Sequence, residues 1–387
     1  MTSLLYAAHK CLRSALFHGA LAVAYYQSLG FSSREIGLLS STYWATFSLL
    51  QLPSGGFADR YGPKASLIAG GLVVSTAYLI EASSMHIAWF MLSGMMQGIG
   101  QSVIAGSDST MIFAVLKHEG MEKRYSEYES KAWTGRHLGL LLGLLGGAAI
   151  STIFGFRAVF IASACAMFLG SLMPLVIMKF GWDVQSQNKK VKSNRNCLRY
   201  FHLVPLSILS RFCLVYAFDA ILPILFQIAL IHLGVNPGVV SALFGAILMS
   251  SLMGYYLSLV TRKLELNKSF EIFTLINGSG MVLVSLGLWL STSLSTGIVL
   301  LGFSLLGLTK GAYSPPFTAQ ILQRHGGEDS AKSLSLLYFL SGLAAAGTIY
   351  STVSLAGLMS LSSLCLFLAI AAFGASLFSY FAHLRRG

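Results

Sequence analysis

Charged residues, and acidic ones above all, are scarce in this sequence. Only 10% of its 387 residues are charged and only 14 are Asp or Glu, whereas 55% are hydrophobic and the mean hydropathy is +0.70. A soluble domain cannot cover so much apolar surface, so the soluble classes are excluded. Strict alternation of apolar and polar residues is also scarce, which disfavours a membrane β-barrel.

The signatures of several kinds of chemistry are missing as well. The five cysteines are scattered without metal or redox spacing, so we interpret them as small hydrophobic residues. The sequence has no nucleotide-binding glycine loop and no His/Glu cluster with metal spacing. No Ser, His and Asp can be placed together at one depth. We therefore expect no enzymatic activity and no cofactor other than a coupling proton, and we regard a membrane enzyme or a non-transporting sensor as less favoured alternatives.

Long apolar runs are what the sequence has in abundance. About twelve of them follow one another, each near the roughly 20 residues that a helix needs to cross a bilayer. We predict an all-α integral membrane protein with about 12 transmembrane helices in two pseudo-symmetric six-helix bundles. The first run, residues 4–28, has no small-residue cleavage site after it, so we interpret it as a span rather than a signal peptide. A polar stretch separates a bundle at 1–182 from a bundle at 201–387 through a cytoplasmic linker at 183–200.

The basic residues indicate the orientation. Most of the 26 lysines and arginines fall on one side of the membrane if both termini are cytoplasmic, as the positive-inside bias requires. The net charge of +12 then reflects topology and contact with anionic membrane lipid. No basic-aromatic module accompanies the charge, so we expect no nucleic-acid partner. The short loops suit a monomeric protein of the bacterial inner membrane.

The stretch "GGFADRYGPK" between the second and third runs concentrates charge and glycine in one short gap. It places Asp59 at the C-terminal end of a helix, where a carboxylate is unfavourable unless a cation or another helix N-terminus compensates it. The stretch resembles the cytoplasmic loop motif of the Major Facilitator Superfamily, which it matches at Gly55, Asp59, Arg60, Gly62 and Lys64. Gly62 is expected to supply a tight turn.

The resemblance covers the whole chain and implies a transporter that works by alternating access, with Asp59 in a latch that closes the cytoplasmic side. A plain basic turn that only fixes the topology is the alternative. "YYQSLGFSSREIGLL" is similar to a bacterial exporter-like branch of the superfamily. Two features depart from the family pattern: Gly94 stands where a motif arginine is expected, and the glycine-rich segment Gly139–Gly147 lacks the proline of the antiporter segment that it resembles.

These features predict proton-coupled export of a small organic solute as the leading function. The solute is expected to be an anionic or carboxylate-bearing metabolite, a siderophore or a drug. Import or uniport of an organic anion or a nutrient is the alternative, because the departures from the motifs leave the direction open.

Asp219 is the leading candidate for the coupling proton. It and Lys310 lie at about the same depth in the seventh and tenth runs, near the membrane midplane, so the two side chains could pair. In the superfamily that the chain resembles, these two spans and the first and fourth line the central cavity. A permanent ion pair that only holds the C-terminal half together is the alternative.

Further polar side chains within the spans are candidates for binding the substrate. His18 lies in the first run and is also a proton-relay candidate, although a hydrogen-bonded structural histidine is an equally good interpretation. Arginine forks suit carboxylate or phosphate, but arginines near inner helix ends also reach the headgroups. The predicted substrate-binding residues are Arg13, His18, Gln97, Gln101, Arg211, Asp219, Lys310 and Tyr313.

Asp108 and Arg136 complete the predicted cytoplasmic gate. They lie near the inner ends of neighbouring antiparallel runs and are therefore expected at similar depth. We interpret them as a structural ion pair beside the Asp59 latch, with a second proton site as the alternative.

Overall fold

The computed structural model describes residues 2–177, 206–261, 264, 266–290, 292, 294–313 and 327–384, and within them all regular structure is helical. A short 3₁₀ turn at Glu122–Arg124 precedes α6. The α-helices are α1 (Thr2–Ser14), α2 (Ala22–Ser28), α3 (Ser33–Ser83), α4 (Ile87–Ile104), α5 (Ser107–His118), α6 (Tyr125–Phe154), α7 (Phe156–Ile177), α8 (Leu206–His232), α9 (Pro237–Thr261), α10 (Leu266–Leu290), α11 (Ser295–Ala312), α12 (Gly327–Leu355) and α13 (Leu361–Leu384).

The helices have the length and composition of membrane spans. Eight segments of the described residues are long and apolar enough to cross a bilayer, and two shorter apolar helices, Ser295–Lys310 and Leu361–Ser376, accompany them. The predicted all-α membrane fold is confirmed. The eight segments are Arg60–Ser83, Ile87–His118, Glu127–Phe154, Phe156–Ile177, Leu209–His232, Pro237–Thr261, Lys268–Leu290 and Leu336–Leu355.

The chain forms two compact units. Unit 1 comprises Met1–Tyr25 and Thr42–Arg195, and unit 2 comprises Tyr26–Ser41 and Asn196–Gly387. In unit 1, α1 packs against α6 and α7. In unit 2, α10 packs against α11 and α13, α11 packs against α9, and α8 packs against α12.

The hydropathy of the first apolar run predicted one continuous helix, but the structure shows a break in it. α1 ends at Ser14 and α2 begins at Ala22. Tertiary contacts account for the break: the backbone N–H of His18 donates to Ser163 Oγ at 3.3 Å, and the Phe17 backbone lies directly against Gly147 of α6. Such contacts between distant segments leave no trace in local hydropathy.

The fourth run is also interrupted. Gly106 has φ 78°, a left-handed conformation that favours glycine, and it separates α4 from α5. Asp108 consequently lies in the first turn of α5, where the partial positive charge of a helix N-terminus stabilises a carboxylate.

The loop motif contains the predicted turn. Gly62 has φ 82° and ψ 163°, so α3 consists of two helices that meet at this residue. The Arg60 guanidinium lies over the Tyr61 ring, 5.3 Å from its centre. Gly55 lies in the helical backbone, and the side chain of Asp59 lies outside the described part of the structure. The latch therefore stays a prediction.

A row of glycines on α6 forms the seam with α1. A Cβ on any of them would come closer than 3.0 Å to the backbone of α1 or of the segment that follows it, so the two backbones touch. The glycine-rich segment thus packs α1 against α6, whatever its relation to antiporters. The glycines of this seam are Gly135, Gly139, Gly143 and Gly147, opposite Ala7, Cys11, Leu16 and Phe17.

Candidate functional site

Asp108 of unit 1 is held by three side chains of α1. Arg13 Nη1 donates to Oδ1 at 2.6 Å, Lys10 Nζ donates to Oδ2 at 2.7 Å, and His9 Nε2 lies 2.9 Å from Oδ1. His9 and Arg13 are four residues apart on α1 and share a face of the helix, and Lys10 adjoins it. Three basic groups therefore converge on one carboxylate.

The His9 ring lies between two acceptors. It is fully buried, and its Nδ1 lies 2.8 Å from the carbonyl oxygen of Gly170 while Nε2 faces Asp108. The ring therefore links α1 to Gly170 of α7 and to Asp108 of α5.

A cavity of about 340 Å³ opens beside this group, and all of its lining residues belong to unit 1. Three cationic side chains, Lys10, Arg13 and Arg136, and one carboxylate, Asp108, line it. Gln101, predicted to bind substrate, also lines it. The excess of positive charge gives this cavity an electrostatic preference for anions.

The structure places Asp108 and Arg136, the predicted ion pair, at the same cavity. Both residues line the cavity, but the ion pairs on Asp108 come from Lys10 and Arg13 of α1. The Arg136 guanidinium lies over the Trp133 ring, 5.0 Å from its centre. A direct pair between Asp108 and Arg136 stays a prediction.

Gln97 lies in a separate polar group that sequence reasoning missed. Its Nε2 donates to Glu81 Oε1 at 2.7 Å, and Ser93 Oγ donates to the same oxygen at 2.8 Å. Glu81 is only 3% exposed, although it lies near the C-terminal end of α3. Ser93 and Gln97 are four residues apart on α4, which was the available signal for a buried acceptor opposite them.

His18 is enclosed by aromatic rings. Its ring centre lies 4.7 Å from that of Phe160 and 4.5 Å from that of Tyr78. Ser163 donates its hydroxyl hydrogen to the Val159 carbonyl, so its oxygen accepts from His18 Nδ1 at 2.9 Å. These contacts match a hydrogen-bonded structural histidine, and a proton-relay role for His18 stays a prediction.

Asp219 and Lys310 of unit 2 form the pair that their depths predicted. Lys310 Nζ lies 2.5 Å from Asp219 Oδ1, and the Tyr313 hydroxyl donates to Oδ2 at 3.4 Å. The side chains of Asp219 and Lys310 are 18% and 33% exposed, so neither is sealed in the core. Tyr313 follows Lys310 by three residues at the end of α11 and is therefore on the same side of the helix.

Arg211 lies at the N-terminal end of α8, eight residues before Asp219. Its Nη1 is buried and has no hydrogen-bond partner in the part of the chain that the structure describes. The next residue, Phe212, packs with Tyr313 and Tyr338, with ring centres 5.6 and 5.7 Å away. The structure thus gives unit 2 an aromatic cluster close to the Asp219 pair.

The predicted site residues therefore fall into separate groups. Arg13, Gln101, Asp108 and Arg136 meet at the cavity in unit 1, whereas Asp219, Lys310 and Tyr313 meet in unit 2. Sequence reasoning missed His9 and Lys10, which appeared to be only the basic flank of the first span. Their spacing with Arg13 on one helix was the signal.

Comparisons with known proteins agree with this architecture. A family model described as Major Facilitator Superfamily matches residues 10–349. Among solved structures, a nucleoside transporter, NupG, superposes with a TM-score of 0.74 at 12% identity, covering 98% of this chain and 97% of that one. A peptide transporter, POT, superposes with a TM-score of 0.76 at 15% identity, covering 99% and 94% of the two chains.

Curated relatives match over shorter segments. The multi-drug resistance efflux pump PmrA of Streptococcus pneumoniae is 25% identical over 210 residues, 54% of this chain and 49% of the pump. The multidrug resistance protein MdtG of Escherichia fergusonii is 33% identical over 124 residues, 31% of this chain and 29% of that protein. The chloroplastic ascorbate transporter of Arabidopsis thaliana is 26% identical over 174 residues, 43% of this chain and 31% of that protein. The chain thus spans about half the length of these relatives or less.

Proposed function

The chain belongs to the Major Facilitator Superfamily, and from that premise we propose that it is a secondary active transporter that exports a small organic solute by alternating access in exchange for protons. It acts in this proposal as a monomer in a bacterial inner membrane, with both termini in the cytoplasm. Asp219 carries the coupling proton, and Lys310 is the counter-charge that holds it between proton transfers.

One observation supports the proposed proton coupling: Asp219, a carboxylate within the apolar helix α8, forms an ion pair with Lys310 of α11. α8 has few charged residues, and an ionisable side chain in a membrane span is costly unless it has a partner or a task. Among the described residues Asp219 has a single cationic partner, so one proton on its carboxylate removes the attraction between the two and frees the Lys310 ammonium. Proton release restores the pair.

Tyr313 fits the same scheme as a positioning residue. Its hydroxyl donates to the oxygen of Asp219 that Lys310 does not occupy. The carboxylate is therefore held on both oxygens in its ionised form. When Asp219 takes up a proton, the lysine and the tyrosine must both find new partners, which links protonation to a rearrangement of α8 against α11.

Export is favoured over import by the names of the relatives. Two of them, PmrA and MdtG, carry names of drug efflux proteins, although each match covers less than half of the relative. Import or uniport of an organic anion or a nutrient is the second candidate, favoured by the likeness to the ascorbate transporter. Whether a strain that lacks the protein accumulates the compound or is starved of it separates the two directions.

The test is proton-driven flux in proteoliposomes that contain the purified full-length protein. A panel of organic anions, zwitterions and cationic drugs is offered to the wild type and to Asp219→Asn, with and without a pH gradient. We expect the variant to lose flux driven by the gradient and to retain exchange of substrate for substrate. Glu127→Gln is the matched control, because Glu127 is an exposed carboxylate of α6 with its own partners, Arg124 and Lys131.

Two outcomes would contradict the proposal. If Asp219→Asn keeps its full response to the gradient, Asp219 is structural and His18 becomes the next candidate. If the wild type moves no member of the panel under any gradient, transport of a small organic solute loses its support.

A further inference from the structure

The cavity in unit 1 has more cationic side chains in its lining than are needed to balance Asp108. A single cation is enough to balance a buried carboxylate, yet Asp108 contacts Lys10 and Arg13 as well as the His9 ring. Uncompensated charge away from water is costly, so an excess that faces an open space indicates a negatively charged occupant.

Arg13 has an unused hydrogen-bond donor at this place. Its side chain is 10% exposed, Nη1 donates to Asp108, and Nε is buried with no hydrogen-bond partner among the described residues. Buried donors are nearly always paired, so an unpaired guanidinium N–H is an exception that calls for an explanation. A guanidinium offers carboxylate or phosphate two parallel donors on one edge, and Nε belongs to such an edge.

Much of the remaining lining is apolar. Tyr43, Phe47, Leu16 and Leu140 contribute to it, together with Ile104. The volume of about 340 Å³ is in the range of small-molecule sites, which combine an apolar wall with a few placed polar groups. The cavity thus matches a molecule with an acidic head and an apolar body.

We propose that this cavity binds a small organic anion whose carboxylate or phosphate competes with Asp108 for Arg13 and Lys10. Asp108 then acts as an internal substitute for the ligand: it keeps the two cations in place while the cavity is empty. When the anion enters, Arg13 turns its free edge toward the anion. The inference names the substrate class of the proposed transporter and rests on that proposed function.

The test measures binding rather than transport. Equilibrium dialysis with radiolabelled benzoate, using the full-length protein in phosphatidylcholine nanodiscs at neutral pH, gives a dissociation constant. Phenyl phosphate, benzyl alcohol and benzylammonium serve as competitors with an anionic, neutral or cationic head. We expect benzoate to bind, phenyl phosphate to displace it, and the neutral and cationic compounds to displace it at least about tenfold less well.

Variants of single residues test the proposed contacts more directly than the competitors do. Arg13→Gln and Lys10→Gln should each weaken benzoate binding about tenfold, because each removes a charged donor. Asp108→Asn should strengthen it about fivefold or more, because it removes the competing negative charge. Lys131→Gln is the matched control: it removes an exposed cation of the same unit that does not line the cavity, and binding should not change.

The outcomes that overturn the inference are distinct. Weaker binding in Asp108→Asn would show that Asp108 builds the site rather than competes for it, and unchanged binding in Arg13→Gln and Lys10→Gln would show that benzoate binds elsewhere. If Asp108→Asn fails to fold, these two single-cation variants decide. Displacement of benzoate by phosphatidylglycerol in the nanodisc would assign the site to an anionic lipid headgroup instead of a soluble anion.

Failure of this inference and failure of the proposed function remain distinguishable. Dialysis needs no pH gradient, so it measures benzoate binding separately from proton coupling. Loss of gradient-driven flux with intact binding concerns the coupling alone. Absence of benzoate binding in a protein that shows gradient-driven flux overturns the assignment of the cavity alone.

Discussion

Asp108 in unit 1 and Asp219 in unit 2 are both aspartates within apolar helices, but they differ in the number of their partners. Asp108 meets Lys10, Arg13 and the His9 ring, whereas Asp219 meets Lys310 and one tyrosine hydroxyl. A single proton is enough to break a balanced pair, but it does not remove an excess of cations. A balanced pair therefore fits the proposed proton exchange, and an overcompensated carboxylate fits the proposed anion binding.

The largest effect is expected at the seam that holds α1, since α1 carries all three basic partners of Asp108. Gly139→Ala should cost about 3 kcal/mol or more, because the added Cβ would meet the Cys11 backbone, which cannot move aside as a side chain can. Gly297→Ala in α11 is the control, since nothing lies within 4 Å of its added Cβ. The thermal unfolding midpoint in detergent measures both, and equal midpoints would contradict the packing that places α1.

A medium effect should separate the two aspartates by their partners. Lys310→Met should cost about 2 kcal/mol, less than the roughly 3–5 kcal/mol of a fully buried pair, since the Lys310 side chain is 33% exposed. The double variant Asp219→Asn, Lys310→Met should return to within about 1 kcal/mol of the wild type, because it leaves no charge stranded. Chemical unfolding in mild detergent gives these differences.

The same measurement on Arg13→Met tests the other side of the comparison. Asp108 keeps His9 and Lys10 in this variant, so the loss should be about 1 kcal/mol and smaller than for Lys310→Met. A larger loss in Arg13→Met than in Lys310→Met would reverse the distinction between an overcompensated and a balanced carboxylate.

The smallest effects distinguish the two glutamines of α4. Gln97→Leu should cost about 1 kcal/mol of stability, because it removes a donor to Glu81, and should leave benzoate binding unchanged. Gln101→Leu should change stability by no more than about 0.5 kcal/mol and alter benzoate binding, since Gln101 lines the cavity. The opposite pattern would place Gln97, not Gln101, at the binding site.

Most of the fold could be predicted from the sequence, and so could the parts of the site that depend on depth in the membrane. Long apolar runs predict spans because a bilayer has a fixed thickness, and depth along two spans was enough to pair Asp219 with Lys310. Rotation about the helix axis and contact between distant segments are not encoded in this way. For that reason the partners that α1 supplies to Asp108 were missed, the buried Glu81 was overlooked, and the break after Ser14 was not foreseen.

The seam between α1 and α6 also limits which mutations the protein can tolerate. Every single-nucleotide change in a glycine codon that alters the residue adds at least a Cβ or ends the chain, and none of Gly135, Gly139, Gly143 and Gly147 has room for one. Gly297, Gly347 and Gly374 have open space at the same position. A deep mutational scan should therefore find the first group intolerant of every substitution and the second permissive, so residues without a side chain constrain the evolution of this protein.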